Sequence, residues 1–426
     1  MNAYIADFHV HSYFSRATSK DCKPEFYERW AQIKGVQIVG TGDFTHPNWL
    51  KELEEKLLPK EEGLFALKEE FKNNAEEYVP PACRNDIRFI LTSEISCIYK
   101  KNGKTRKIHV VIFAQDFSVV KKINSILEKI GNIKSDGRPI LGLDAKNLLE
   151  IVLESHALSF LVPAHIWTPH FSLFGSESGF DSIKECFEDL SKHIFAMETG
   201  LSSDPAMNWR LTSLDNINFI SNSDAHSPQN LAREANIFSC ETNFKAIKEA
   251  LQTGKNFLGT LEFFPEEGKY HYDGHRSCKV NMSPSETISK KGICPVCGNK
   301  VTVGVMHRVE LLADRKKGEK PMQGAKPFES LIPLPEIIAE SENVGVKSKK
   351  VTAIYNKMLD KLGNELYILR QAPISEIEKA GFSFLSVGIK NMREGKVEVH
   401  AGYDGEYGRI KVFTEVKNDD SQLKLL

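Results

Sequence analysis

Five histidines and two carboxylates are spaced along the first 260 residues in a pattern suited to metal ions. His9-Val10-His11 puts two imidazoles two residues apart, and on a strand both point to one face. Asp224-Ala225-His226 repeats that spacing with one hard oxygen ligand and one imidazole, and Glu94, His109 and His165 lie between the two motifs. Imidazole with carboxylate suits Zn or Mn, and the donors outnumber what one tetrahedral ion can use. Two or more ions bridged by a carboxylate are the natural solution. Such a pair, about 3.5–4 Å apart, activates water and stabilises charge on a transferring phosphoryl group. A single histidine of this kind would read as a core or cap residue.

A second set of donors follows. His275-Arg276-Ser277-Cys278 and Cys294-Pro295-Val296-Cys297 are two ligand pairs, each with two intervening residues, and Gly298 follows the second. This is zinc-ribbon spacing, and with all four bound there is no open position, so the role is structural. Metal binding would supply folding energy to a segment with little apolar content. His271 could replace His275, and His307 is a weaker alternative. Beyond the knuckle lie Arg308, Arg315, Lys316, Lys317 and Lys320, cations that could contact successive phosphates of a nucleic acid without reading its sequence.

The elements that must position these groups are short β-rich runs at 3–11, 36–44, 87–95, 107–114, 158–166, 193–200 and 218–226, with helical spacing between them, as at 24–34, 51–75 and 118–130. Near-continuous Val, Ile and Phe runs predict parallel strands covered on both faces, and repeated βα units predict an α/β sheet closed into a TIM-like barrel. His9, His11, Asp43, Glu94, His165, Glu198, Asp224 and His226 all fall at or just past the end of a run, where βα-barrel sites assemble, and only His109 sits earlier. Glu198 reads as an extra ligand, a general base or a rim carboxylate.

The chain has 426 residues, 41% hydrophobic and 27% charged, an ordinary globular balance with no apolar run long enough to span a bilayer. Charge is uneven. Residues 1–267 carry 30 Lys and Arg against 37 Asp and Glu, 268–326 carry 12 against 5, and 327–426 carry 14 against 15. The expected organisation is a metal-dependent barrel over 1–260, a basic zinc-binding segment over 261–326, a small α+β DNA-gripping domain over 327–415 and a flexible tail over 416–426. Within the α+β domain, 350–362 reads as helix, 365–370 as a strand and 396–413 as a hairpin. Cys22, Cys83, Cys97, Cys186 and Cys240 read as buried thiols, and Asp7 and His9 interrupt any signal-peptide stretch, so a cytoplasmic, nucleoid-associated protein is expected.

The ordered set D-F-H-V-H-S, the Asp of the second strand, the central Glu and His, and S-D-A-H resembles the PHP (polymerase and histidinol phosphatase) family over roughly 1–260. The resemblance implies a (βα)7 barrel with up to three rim metals. His9, His11, Glu94 and Asp224 match ligands of the first metal and Glu94, His109 and His165 those of the second, while Asp43 and His226 fall near the third. The usual Asp-His pair of the second strand is Asp43-Phe44 here, and Ser15-Arg16-Ala17 stands where many members carry a His. Outside the barrel, G-K-Y-H-Y-D-G-H, I-C-P-V-C-G, G-V-M-H-R-V-E-L-L-A-D-R and G-Y-D-G-E-Y-G resemble the endonuclease Q family of DNA-repair nucleases over nearly the whole chain.

That resemblance implies incision 5′ of a deaminated base (uracil, hypoxanthine, xanthine) or an abasic site. Zn2+ is the implied metal in barrel and ribbon, with Mn2+ or Mg2+ as barrel alternatives. Asp224, Glu198 and Asp43 are the candidate catalytic residues. A flipped nucleotide needs stacking partners, for which Tyr403, Tyr407 and Trp167 are candidates. Gln422, Leu423, Leu425 and Leu426 resemble the peptide with which bacterial proteins bind the sliding clamp. A PHP phosphatase acting on a small phosphate ester is the alternative enzyme, leaving the basic insert without a role. An amidohydrolase would need a Lys ending the run IHVVIFA, and a non-catalytic DNA-binding scaffold would need broken ligands.

Overall fold

The computed structural model describes residues 3–72 and 79–413, a mixed α/β fold. Strand β1 (Tyr4–Asp7) pairs in parallel with β2 (Ile38–Gly40), and β2 in parallel with β3 (Arg88–Lys101). At Asn102-Gly103, both at positive φ (53° and 73°), the chain makes a tight hairpin into β4 (Lys104–Ala114). Asn-Gly suits such a turn because both central residues must be left-handed. Strand β4 then pairs antiparallel with β5 (Phe160–Pro163). Strands β6 (Ala196–Glu198) and β7 (Asn218–Ile220) form their own parallel pair. On the other side of β1, β8 (Ala235–Phe238) and β9 (Phe257–Glu262) run antiparallel, and Phe328–Ser330 adds a parallel edge.

The sheet is therefore mixed rather than the expected all-parallel one, and among the described residues it does not close as one hydrogen-bonded ring. Main-chain links cross the two gaps. The Ile166 N–H donates to the Glu198 carbonyl at 3.1 Å, and Val10 and Ala225 form a parallel bridge. Phe8, Phe113, Phe160, Val162, Ala164, Ile220 and Phe238 pack into one buried cluster, with Phe113 stacked on Phe160 at 4.3 Å and Phe8 edge-on to Phe113 at 5.6 Å. Several of these residues immediately precede the polar groups: Phe8 leads to His9 and Ala164 to His165. Aromatic pairs of this geometry add about 0.5–1.5 kcal/mol beyond area burial and give the polar cluster a stiff floor. The five scattered cysteines are buried free thiols.

The last third is mostly helical: Leu334–Glu342, Lys349–Leu362, Glu365–Arg370, Ile374–Lys379 and Ser383–Arg393, followed by a hairpin of Glu398–His400 and Arg409–Lys411. The strand expected over 365–370 is a helix. Asn364 caps it by accepting from the Tyr367 N–H at 2.9 Å, and Leu366, Ile368 and Leu369 are buried at helical spacing. Buried Glu365 joins this unit to the first one, taking Lys34 at 2.7 Å, the Tyr355 hydroxyl at 2.6 Å and the Leu334 N–H at 3.1 Å. Gln422, Leu423, Leu425 and Leu426 lie outside the described residues.

Candidate metal centre

Glu94 is the hub of a buried cluster. One of its oxygens, Oε2, faces His11 Nε2 at 3.3 Å and His9 Nε2 at 3.5 Å. The other, Oε1, faces His109 Nδ1 at 2.7 Å and His165 Nε2 at 3.1 Å. Asp224 Oδ1 completes the first group, 2.9 Å from His11 Nε2 and 3.6 Å from His9 Nε2. Each group, His9–His11–Glu94–Asp224 and Glu94–His109–His165, has its donor atoms within 4.8 Å of one another. Carboxylate oxygens split between two donor groups are what a bridged metal pair requires.

The strands explain the convergence. Glu94 sits four residues past Ile90, where β3 leaves the side of β2, and the hairpin carries β3 above the rim. Strand β4 runs the opposite way, so its rim-side residue, His109, comes before its packed stretch, which pairs with β5 at 110–113. Three rim residues hold strained backbone: Asp43, His165 and Asp224 have φ of 51°, 29° and 47°. Left-handed backbone is uncommon outside glycine, though Asp and His adopt it more readily than most, and it concentrates at functional sites.

A supporting layer fixes the rings. His9 Nδ1 lies 3.0 Å from Glu198 Oε1, and Glu198 also accepts from Asn222 Nδ2 and from the His165 N–H, each at 2.8 Å. His11 Nδ1 lies 3.0 Å from Asp43 Oδ1, while Asp43 Oδ2 accepts from the Ser12 N–H (2.7 Å), the Ser12 hydroxyl (2.6 Å) and the Ser15 hydroxyl (2.8 Å). Both carboxylates are thus engaged by protein donors. Each contacts the Nδ1 of a cluster histidine, and neither belongs to the two donor groups. His226 is partly exposed, with Nδ1 2.8 Å from the Asp224 carbonyl and its ring 4.6 Å from that of His11; it belongs to neither donor group.

Burial works to raise the Glu94 carboxyl, but His109, Arg138 and His9 override it and hold it well below the ordinary range. Asp224 is likewise held low, against burial, by His9 and His11. Burial alone would lower His9 and His11. The carboxylates around them, Glu198, Glu94 and Asp224 for His9 and Asp43 foremost for His11, raise both well above the usual imidazole value. His109, where burial wins, is pushed down to about 4. His9 Nε2 is buried without a hydrogen-bond partner, aimed at Glu94 and Asp224. An orphaned ring nitrogen among carboxylates fits a divalent cation.

The second donor set converges too. His275, Cys278, Cys294 and Cys297 have donor atoms within 4.8 Å, with Cys297 Sγ 3.5 Å from His275 Nδ1. His275 ends one strand of the Asp273–His275/Val280–Met282 hairpin. The knuckle closes through Gly298, whose φ of 75° suits glycine and whose N–H donates to the Cys294 carbonyl at 3.0 Å. His271 and His307 are outside the group, and His307 pairs with Asp273 at 2.7 Å.

The expected DNA contacts divide. Arg308 is engaged by the Phe174 and Phe180 carbonyls and Asp181, and Arg315 by Asp215 at 2.6 Å. Asp215 precedes β7 and Asp224 follows it, so Arg315 sits at the sheet end opposite the histidines. Lys316, Lys317 and Lys320 are exposed. Trp167 is core, its Nε1–H donating to Asn208 at 2.7 Å. The 402–408 loop is stapled onto the second donor segment: Tyr272 N–H to Gly402 carbonyl at 3.0 Å, Arg276 N–H to Asp404 at 2.6 Å. Tyr403 packs at Gly274, and Tyr407 is 77% exposed beside Lys269. One site residue escaped the sequence reading. Arg138 Nη1 lies 3.0 Å from Glu94 Oε2, and its loop position carried no motif to mark it.

Residues 333–396 match the family described as MJ0043 C-terminal domain. Uncharacterized protein MJ0043 of Methanocaldococcus jannaschii is 34% identical over 252 residues, 57% of this chain but 31% of that protein, so the aligned region spans about a third of that relative. Uncharacterized protein YqxK of Bacillus subtilis is 27% identical over 89% of this chain and 90% of its own. The lesion-specific endonuclease PfuEndoQ from Pyrococcus furiosus superposes with a TM-score of 0.83 at 31% identity, covering 96% of this chain and 95% of that one. An endonuclease Q complex with a 27-mer duplex bearing an abasic lesion at its active site superposes at 0.82 and 31% identity, covering 99% and 100%.

Proposed function

The chain belongs to the endonuclease Q family, and from that membership we propose that it is a DNA repair endonuclease that hydrolyses the phosphodiester 5′ of a deaminated base or abasic site. The observation that carries the reading is the division of Glu94 between two histidine groups. His9, His11, Glu94 and Asp224 would hold one ion and Glu94, His109 and His165 a second, with Zn2+ favoured by the imidazole content and Mn2+ or Mg2+ as alternatives. When bound, the pair supplies water activation and charge stabilisation at phosphorus. The remaining work belongs to the chain. Glu198 and Asp43 keep His9 and His11 in one orientation, and burial of the cluster strengthens every charge interaction within it. His226, at the rim beside Asp224, is the residue with room to serve a third ion or a proton transfer.

The links at Ile166–Glu198 and Val10–Ala225 support reading the sheets together as a PHP-type barrel with the metal centre on its rim. His275, Cys278, Cys294 and Cys297 suit a closed structural zinc site, which would hold the 402–408 loop and Tyr407 in place. Lys316, Lys317 and Tyr407 supply exposed charge and stacking surface for DNA, whereas Arg308 and Arg315 serve the fold first. The substrate is DNA of the nucleoid, in the cytoplasm, and the C-terminal Gln422–Leu426 peptide is the candidate clamp contact.

The test is incision of end-labelled duplexes carrying one uracil, hypoxanthine or abasic site, against undamaged duplex, with Asp224→Ala as control. A cut just 5′ of the lesion that the variant loses is the expected result. Lesion DNA left intact with Zn2+ or Mn2+ supplied overturns the reading in favour of a small-ester phosphatase.

A further inference from the structure

We propose that Arg138 is a catalytic residue that grips a non-bridging oxygen of the scissile phosphate; this rests on the endonuclease reading above. Arg138 lies in the loop between the helix Phe117–Ile130 and the short strand Ile140–Leu141. The loop is locked to the centre by its neighbour. The Gly137 N–H donates to the Phe14 carbonyl at 3.1 Å, its carbonyl accepts from the Thr45 hydroxyl at 3.5 Å, and a Cβ there would collide with the Asp43 carboxylate and the Ser15 hydroxyl. Asp136 then accepts the Arg138 N–H at 3.0 Å, turning the chain so that the guanidinium enters the cluster. Among the described residues it is the one Lys or Arg head ion-paired to either donor group.

The guanidinium is held through Nη1, and the side chain is not fully buried. Nη1 meets Glu94 Oε2 at 3.0 Å, yet the Arg138 side chain keeps 26% of its surface exposed while Glu94 keeps none. Oε2 is the same oxygen that faces His9 and His11, so it is the atom that would serve an ion in the first group. Once Glu94 serves as a ligand on both oxygens, its negative charge is largely spoken for. The planar fork of five N–H donors then has its best partner in an anionic phosphodiester arriving from solvent. Negative charge grows on the non-bridging oxygens as phosphorus is attacked, and a fixed guanidinium stabilises that growth more than the ground state.

The competing account is that Arg138 only keeps Glu94 ionised and placed. Three readouts on Arg138→Ala and Arg138→Lys separate the two: single-turnover incision of an abasic duplex, metal content by mass spectrometry, and duplex affinity by fluorescence anisotropy. The proposal expects Arg138→Ala to keep its metal complement, to bind lesion duplex within about tenfold of wild type and to incise about 10²–10³-fold more slowly. Millimolar guanidinium should restore part of the rate, and Arg138→Lys should fall between. Incision by Arg138→Ala at the wild-type rate overturns the proposal, and so does metal loss that accounts for the rate loss. A wild-type protein inert on every lesion duplex removes the endonuclease reading itself and this proposal with it.

Discussion

Glu198 ties the two donor groups together through His9 and His165: one oxygen faces His9 Nδ1 at 3.0 Å, and the other accepts the His165 backbone N–H at 2.8 Å. With its oxygens used this way, Glu198 is expected to hold the His9 ring and the His165 backbone in place. Glu198→Gln keeps the size and most hydrogen bonds but removes the charge behind His9. Metal affinity should drop about 10–100-fold with the fold intact, as read by competition against a chelator and by thermal melting. Undiminished affinity would sink the orienting role.

Glu94 should behave differently from any histidine of the centre. Its oxygens serve two groups, so Glu94→Gln is expected to lose both ions of the centre together. His109→Ala touches only the second group and should lose one. Zinc counted per chain after gel filtration distinguishes the two variants, with the His275–Cys297 site as an internal reference that neither should change. Equal loss from both would refute the bridging geometry.

Loading of the centre should release protons. Without bound cations, the carboxylates around His9 and His11 raise both imidazoles well above their ordinary value, so each carries a proton near neutrality. A cation must displace those protons, and its affinity must fall as pH falls. His109, pushed down to about 4, adds none in the neutral range. Zinc titration in weak buffer should show acid release that His9→Ala or His11→Ala diminishes; no release at neutral pH would contradict the assignment.

The donor set was legible because its chemistry is local. His9-Val10-His11, Asp224-Ala225-His226 and the Cys294–Cys297 pair declare themselves by spacing, and the structure gathers all of these donors but His226 into one group or another. The sheet was less legible. Asn102-Gly103 is a strong hairpin signal, yet β4 read as one more parallel strand. That reversal explains why His109 broke the strand-end rule: on a strand running backwards, the rim comes first. Residues 365–370 misled through apolar content, and the capping Asn364 was the overlooked cue. Arg138 reaches the site only through tertiary packing of its loop at Gly137, which no local pattern encodes.

The second donor segment should be the first to open when its metal goes. Its pairs are held mainly by short turns and a three-residue hairpin, and Cys278 and Cys294 respond oppositely to their surroundings. Burial and the neighbouring thiols push Cys278 up to about 11, while N–H donors at Val296 and Cys297 outweigh burial and bring Cys294 down to about 6. A thiolate poised near neutrality suits a cation. Cys294→Ser, or chelation, should expose 261–326 to limited proteolysis and loosen the 402–408 loop, with the first 260 residues still protected. Uniform protection would argue against a structural metal there.

A last expectation concerns stability against pH. Glu262 is buried with Thr199 and Ser221 hydroxyls donating to it at 3.1 and 3.0 Å, and buried Glu234 lies nearby. Burial, reinforced by Asp204, pushes Glu262 up to about 8, and burial with Glu262 and Glu198 raises Glu234 as well. A folded-state value above the ordinary 4.5 means the folded protein holds the proton more tightly than the unfolded chain. The associated stability is complete below about pH 4.5 and drains away as pH rises through about 8. Glu262→Gln keeps the shape and cannot ionise. Its melting temperature should therefore gain on wild type from pH 5 to about pH 8 and hold that gain above it, and parallel melting curves across that range would show that the carboxyl titrates normally.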